Sequence, residues 1–314
     1  MIVCVGDLMV DVFSDGPGEQ RRHPGGKAAI YAVTIRALGG DAAVVGCIGD
    51  DADGKAVSKA LAVTGVDRSG VVVHSTEATG ADFFEGGDWR MERGANWALT
   101  PEQVRSSLAS LADGGRNVDA VIINQGISLE AAQEAVGYAR QNGLFTVLHL
   151  GPEAVEDRRR VSPEFYPLAD VIVLSQREAD FLAEDLGLGV AGLPSAELAR
   201  LLFDRTEPRW ALLLTRGVGG SDLVVRRADG GAEQAVVSPS SIDEHEVERH
   251  IGAGDSLLGA WISQLVGRGA TSVTASTGMV VEALDRSTRL AAVTLQFPGT
   301  LTTAVYHPER LLAG

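Results

Sequence analysis

The chain has 314 residues, 45% of them hydrophobic, and a formal net charge of -15 at pH 7. That apolar content suffices for one large α/β domain or two ordinary ones, and so acidic a surface repels nucleic acid and anionic membranes. Cysteine occurs only at Cys4 and Cys47, both inside apolar runs that read as buried strands, so neither a disulfide framework nor a thiolate metal site is expected.

Met1-Ile2-Val3-Cys4-Val5 begins a strand at once, with no charged leader or long apolar segment, which predicts a cytoplasmic protein. Further apolar strands are predicted at 43–48, 118–123, 144–150, 170–174, 211–215 and 223–225. Residues 13–23 are polar and carry glycine and proline. Residues 70–93 read as several short strands, with turns at Ala78-Thr79-Gly80 and Gly86-Gly87-Asp88. Thr100-Pro101-Glu102-Gln103 is a capping box with proline at the first helical position, and Asn142-Gly143 ends a helix that starts near Leu129. Uninterrupted apolar strands alternating with helices predict a parallel sheet covered on both faces. The two irregular regions, about 12–24 and 70–96, are expected to form a small sheet inserted within one domain spanning 1–314. That sheet is either a lid or a plain surface excursion.

The run Gly252-Ala253-Gly254-Asp255-Ser256 precedes an apolar helix. A small-residue turn opening a helix aims free N–H groups at one point, where the helix dipole adds positive potential, so anions bind there. A carboxylate beside such a cradle suits proton abstraction during phosphoryl transfer. Read more plainly, the run is a glycine turn and a capped helix. A second run, Pro24-Gly25-Gly26-Lys27-Ala28-Ala29-Ile30, opens another helix with a diglycine that lets a ligand approach the backbone and a lysine that can donate to an oxygen-rich substrate. Asp11, at the carboxyl edge of a parallel sheet, lies where open α/β folds bind ligands, or can simply form a turn.

In this order and separation, the two glycine runs resemble the two signatures of the ribokinase-like (PfkB type) carbohydrate kinases. Val5-Gly6-Asp7 through Asp11, Arg93-Gly94-Ala95-Asn96, Ser175-Gln176-Arg177-Glu178 and Leu214-Thr215-Arg216-Gly217-Val218-Gly219-Gly220 are similar to further family segments, so the resemblance covers nearly the whole chain. It implies a three-layer α/β/α fold with a mainly parallel central sheet and a β-strand lid. It also implies ATP-dependent phosphorylation of a sugar hydroxyl, with Asp255 as general base and the N–H groups of Gly252, Ala253 and Gly254 as anion hole. Asp11, Gly25, Gly26, Lys27 and Asn96 would hold the substrate, and Ser175, Thr215, Gly217 and Gly220 the nucleotide. Glu178 would hold Mg²⁺ through water, although as a bare residue it is an ordinary helix-start glutamate. Residues 288–299 resemble the wall of the adenine site, although apolar helix packing explains most of that segment equally well, and the resemblance further implies a homodimer formed through the lid.

Departures from the family pattern bear on substrate and rate. Ile30 stands where an asparagine is usual, which disfavours ordinary ribose specificity and points to a deoxy sugar, a modified sugar or a nucleoside. Ser175 replaces an asparagine, and Arg249-His250-Ile251 replaces an Asp-Thr-Thr type sequence, which puts activation by a monovalent cation in doubt. The histidines show no ligand spacing and read as surface or structural residues, His250 excepted for its nearness to the phosphate cradle. A sugar- or nucleotide-binding protein with weakened catalysis remains the competing reading. A dinucleotide-dependent dehydrogenase does not fit, because Val5-Gly6-Asp7-Leu8 supplies no Gly-x-Gly-x-x-Gly turn.

Overall fold

The computed structural model describes residues 1–16, 19–86, 88–189, 192–241, 245, 247, 251–297, 299 and 301. In chain order the elements are β1 (Ile2–Val5), β2 (Met9–Gly16), β3 (Glu19–Gly25), α1 (Lys27–Ala37), β4 (Ala42–Gly49), α2 (Ala52–Val63), β5 (Asp67–His74), β6 (Gly80–Glu85) and β7 (Asp88–Glu92). A short 3-10 turn over Gly94–Ala98 leads to α3 (Pro101–Asp113), β8 (Ala120–Asn124), α4 (Leu129–Gln141), β9 (Phe145–His149), α5 (Pro152–Glu156), β10 (Val171–Ser175) and α6 (Gln176–Asp185). The remainder is α7 (Ser195–Thr206), β11 (Ala211–Thr215), β12 (Ser221–Arg226), β13 (Ala232–Val237), α8 (Ala253–Gly267) and α9 (Thr277–Thr294).

Nine strands form one sheet in the order β13-β12-β11-β10-β9-β8-β1-β4-β5. All neighbours from β11 through β5 run parallel, and only the β11–β12 and β12–β13 pairings are antiparallel, so β12 alone is reversed. Period-two alternation sends side chains to both faces. Cys4, Val44, Ile122, Val147 and Val173 pack on one side with α1, α8 and α9, while Val5, Val45, Ile123, Leu148 and Leu174 pack on the other with α3, α4, α6 and α7. This double coverage explains why the strands read as uninterrupted apolar runs, and it gives the three layers that the resemblance implied.

A second sheet has the order β3-β2-β6-β7, with β2 and β6 parallel and both edge pairings antiparallel. It takes its strands from both irregular regions, but the expected span of 70–96 must be shortened. Residues 70–74 belong to β5, which pairs with β4 at the edge of the main sheet, because Val71 and Val72 pack against its two cores. The turn expected at Ala78-Thr79-Gly80 is therefore the passage between the two sheets and not a hairpin, with Thr79 held by Asp51 and by Gly49 N. β6 and β7 pair antiparallel, and the turn expected between them includes Gly87, which lies outside the described residues.

Asn96 fastens the return from the small sheet. Its side chain is fully buried, accepts from Leu8 N at 3.0 Å and donates to Leu8 O at 3.1 Å, completing the hydrogen bonding of a backbone unit between the two sheets. Asn96→Ala leaves a buried donor and a buried acceptor unpaired, so it is expected to lower the unfolding free energy by about 2–4 kcal/mol in urea titrations. A loss below about 0.5 kcal/mol, the size of an ordinary surface change, would contradict this role.

Candidate active site

Parallel pairing brings the ends of five strands to one edge: β1 runs into Gly6-Asp7, β8 ends at Asn124, β9 at His149, β10 at Ser175 and β11 at Thr215. Ligands bind at such an edge in open α/β sheets, and a cleft of about 460 Å³ lies there. One part of its wall comes from the small sheet and α1, namely Met9, Asp11, Asp82, Phe84, Trp89, Gly26, Lys27 and Ile30. Another comes from Val173, Ser175, Arg177, Glu178 and Thr215. Ile251, Gly252, Gly254 and Asp255 from the start of α8 complete it, with His149 and Asp7 on the floor.

The helix starts explain two of these walls. Gly252, the N-cap of α8, takes the left-handed conformation (φ 79°) and supplies no capping side chain to the first N–H groups of this 15-residue helix, which starts beside Asp255. Gly26 starts α1 with φ 93° and likewise has no capping side chain of its own, but there the first helical N–H, that of the buried Lys27, donates to Asp7 Oδ1 at 3.2 Å. Lys27 Nζ donates to Glu153 Oε1 at 2.5 Å and to Asp7 Oδ2 at 3.3 Å, while Asp7 Oδ1 accepts from Asn124 Nδ2 at 2.7 Å. Burial alone would lower the Lys27 pKa, but Asp7 and Glu153 outweigh it and hold the ammonium well above its ordinary value.

Asp255 is 17% exposed and lies close to His149, with 4.0 Å between its Oδ1 and His149 Nδ1. Burial raises its pKa to about 6, against the opposing pull of Lys27 and His149. A carboxyl group with that pKa is ionised at neutral pH yet basic enough to take a proton. His149 also shares a 2.6 Å hydrogen bond with the Tyr31 hydroxyl through Nδ1, and its Nε2 lies 3.5 Å from Glu178 Oε2. Burial pushes the imidazole pKa down, but Glu178 and then Asp255 reverse this, and the net shift is upward. Glu178, the third residue of α6, forms a capping box with Ser175. Its Oε2 accepts from Ser175 N at 2.9 Å and its own N–H donates to Ser175 Oγ at 3.3 Å. Burial raises the Glu178 pKa, while His149 and the Ser175 bonds lower it more.

Of the residues singled out from sequence, Asp11, Gly26, Lys27, Ser175, Thr215, Glu178, Gly252, Gly254 and Asp255 line the cleft, with Ala253 in the chain between two of them. Gly25 is beneath it, where an added Cβ would come 2.6 Å from Asp11 Oδ2. Gly217 and Gly220 form the turn between β11 and β12 and are not in the lining. Asn96 is not in the lining, and its amide is hydrogen bonded to both the N–H and the carbonyl of Leu8. Thr288 is in α9, hydrogen bonded to Ser240 at 2.6 Å, and not in the lining either. Arg249 and His250 lie outside the described residues.

His149 was expected to be a surface or structural histidine and is instead at the centre of the site. Its position at the end of a predicted strand was the available signal. Asp82 and Glu153 were also missed, and Asp82 carried a similar signal in the alternation of Ala81-Asp82-Phe83-Phe84.

The sequence pattern of the pfkB family carbohydrate kinases matches residues 1–305 of the chain. A ribokinase from Haemophilus influenzae is 31% identical over 184 residues, covering 57% of this chain and 56% of that protein. A bifunctional ribokinase/ribose-5-phosphate isomerase A from Fructilactobacillus sanfranciscensis is 26% identical, covering 84% of this chain and 48% of that protein, so the matched part is about half the length of each of these relatives. Mouse ribokinase is 26% identical over 297 residues, covering 92% of this chain and 83% of that protein. Among solved structures, the ribokinase of Giardia lamblia superposes with a TM-score of 0.81 at 19% identity, covering 99% of this chain and 98% of that one. A Xylella fastidiosa fructokinase with bound ATP gives 0.79 at 20% identity, covering 99% and 97%. These two likenesses show the ribokinase-like fold, and the match along the sequence shows the lineage: the chain belongs to the pfkB family of carbohydrate kinases.

Proposed function

We propose that the protein transfers the γ-phosphoryl group of ATP to a hydroxyl of a sugar or sugar-like acceptor. One observation carries the reading: a buried carboxyl group with its pKa near 6 stands in the first turn of an uncapped helix, inside the cleft at the carboxyl edge of the sheet. Asp255 takes the proton of the acceptor hydroxyl as its oxygen attacks the γ-phosphorus. The bond from that phosphorus to the bridging oxygen breaks, and ADP leaves. Backbone N–H groups at 252–254 and the dipole of α8 stabilise charge on the migrating group, and Lys27 orients the acceptor oxygens.

The residues fit Mg²⁺ arriving with the nucleotide. Among the described residues no cluster of three or more His, Cys, Asp or Glu side chains could cage a metal, but magnesium asks for only one or two carboxylates beside phosphate oxygens and water. Glu178 would hold it at the Ser175 and Thr215 side of the cleft, and when bound the ion neutralises phosphate charge. Phe84 and Trp89, which line the same cleft as Ile30, favour a second reading in which the acceptor carries a planar ring, as a nucleoside does.

The small sheet is proposed to close over the acceptor as a lid. Among the described residues no further strand pairs with its outer strands β3 and β7, and pairing across such an edge would give a homodimer. No helix among the described residues is long and apolar enough to cross a membrane, and a cytoplasmic location is part of the proposal.

Asp255→Asn is expected to lower kcat by about 10²–10⁴-fold in a coupled ADP-release assay over a panel of sugars and nucleosides. ATP affinity by calorimetry should stay within about twofold. Turnover equal to wild type would remove Asp255 from the chemistry. Because the base must be ionised, kcat/KM should be flat above pH 7 and fall about tenfold per pH unit well below the Asp255 pKa of about 6. An unchanged rate down to pH 4.5 would contradict that assignment. Light scattering after size exclusion should give about twice the chain mass of 32.8 kDa, and a monomer at micromolar concentration would argue against the lid-paired dimer.

A further inference from the structure

Tyr31 is a fully buried residue of α1 that no step of the phosphoryl transfer uses, and it is not in the cleft lining. Its hydroxyl instead shares the 2.6 Å hydrogen bond with His149 Nδ1. Burial, and then Asp255, push the hydroxyl pKa well above its ordinary value, so the group keeps its proton. A hydroxyl donates to a bare ring nitrogen or accepts from a ring N–H, so this bond survives either charge state of the imidazole. The backbone of Tyr31 is seated on α8, the helix that carries Asp255. A Cβ added at Gly259, one turn beyond Asp255, would come 2.9 Å from Tyr31 O and 3.0 Å from its Cα, so the two helices approach this closely because glycine stands there.

The Asp255 side chain needs such support. Among the described residues its carboxylate accepts no hydrogen bond, and His149 stands against it with 4.0 Å between Nδ1 and Oδ1, beyond hydrogen-bond reach. A carboxylate held only by its own χ angles turns between staggered rotamers, whereas a base has to be aimed at the acceptor oxygen to within a fraction of an ångström. A ring that stays still beside it removes that freedom. His149 can stay still because both of its nitrogens are engaged, Nδ1 with Tyr31 and Nε2 with Glu178 Oε2 at 3.5 Å. Glu178 is itself in the cleft lining, but Tyr31 is not, so the Tyr31 hydroxyl can be removed without touching a ligand.

We infer that Tyr31 is a positioning residue of the phosphoryl transfer: its hydroxyl fixes the His149 ring, and the ring keeps the Asp255 carboxylate turned toward the acceptor. This rests on the kinase reading for the role of Asp255. Tyr31→Phe keeps the buried ring and removes only the hydroxyl oxygen. It is expected to lower kcat about tenfold, less than the roughly hundredfold that a 1 Å misplacement can cost, while KM for ATP and for the acceptor stays within about twofold. His149→Leu, which makes neither bond, should lose at least as much kcat. Adding Tyr31→Phe to it should cost less than about twofold more, since Tyr31 would have nothing to act through. A tyrosine that merely supports the fold would cost the same in both backgrounds. A Tyr31→Phe kcat within about twofold of wild type, a loss confined to KM, or equal losses from Tyr31→Phe with and without His149 would each overturn the inference. Should Tyr31→Phe fail to fold by circular dichroism, His149→Asn takes its place, its amide replacing Nδ1 as partner of the Tyr31 hydroxyl. Its kcat should then exceed that of His149→Leu by about fivefold or more, and equal values would overturn the inference. Failure of the kinase reading would look different: the wild-type protein would give no phosphorylated product with any sugar or nucleoside, and the role of Tyr31 would fall with that of Asp255.

Discussion

Parallel strand pairing is the constraint from which the site follows. Each strand from β1 through β11 in the main sheet leaves the core at the same edge, so Asp7, Asn124, His149, Ser175 and Thr215 arrive together although they are spread over two thirds of the chain. Both faces of that sheet are sealed by helices, which leaves the edge as the place where polar side chains can meet a ligand. The uncapped start of α8 then brings helix-end N–H groups and a carboxyl group to the same cleft. The small sheet supplies an acceptor wall that the main sheet alone would lack.

The charged floor of the cleft is a cost to the fold. Lys27, Asp7 and Glu153 are buried, and such groups are stable only when paired and hydrogen bonded. Asn124 completes the bonding of Asp7, while Glu153 Oε2 has no partner among the described residues. The same low-dielectric setting raises the Asp255 pKa toward neutrality, so the burial that costs stability is also what makes a carboxyl group useful as a base.

Much of this was legible in the sequence because it is local. Buried parallel strands are written as apolar runs, helix starts as capping residues, and the diglycine and Gly-Ala-Gly-Asp turns as small-residue clusters. What was not legible depends on distant partners. Val71 and Val72 read alike as a strand of either sheet, and only the pairing of β5 with β4 decides between them. His149 looked structural because its partners, Tyr31, Glu178 and Asp255, are far away in the chain. Asn96 was read through a family segment, and its amide bonds to Leu8, across 88 positions of sequence, could not be seen there. The opposition of Asp82 and Asp11 is likewise a matter of register, which neither strand records on its own.

The central claim is geometric, that one carboxyl group and one helix start converge on a reacting phosphoryl group. A crystal structure with a non-hydrolysable ATP analogue, Mg²⁺ and an acceptor sugar tests it most directly. The account predicts the terminal phosphate against the backbone amides of residues 252–254, with an acceptor hydroxyl within about 3.2 Å of the Asp255 carboxylate. A terminal phosphate bound elsewhere on the sheet edge, or an acceptor whose nearest base is a different side chain, would contradict it.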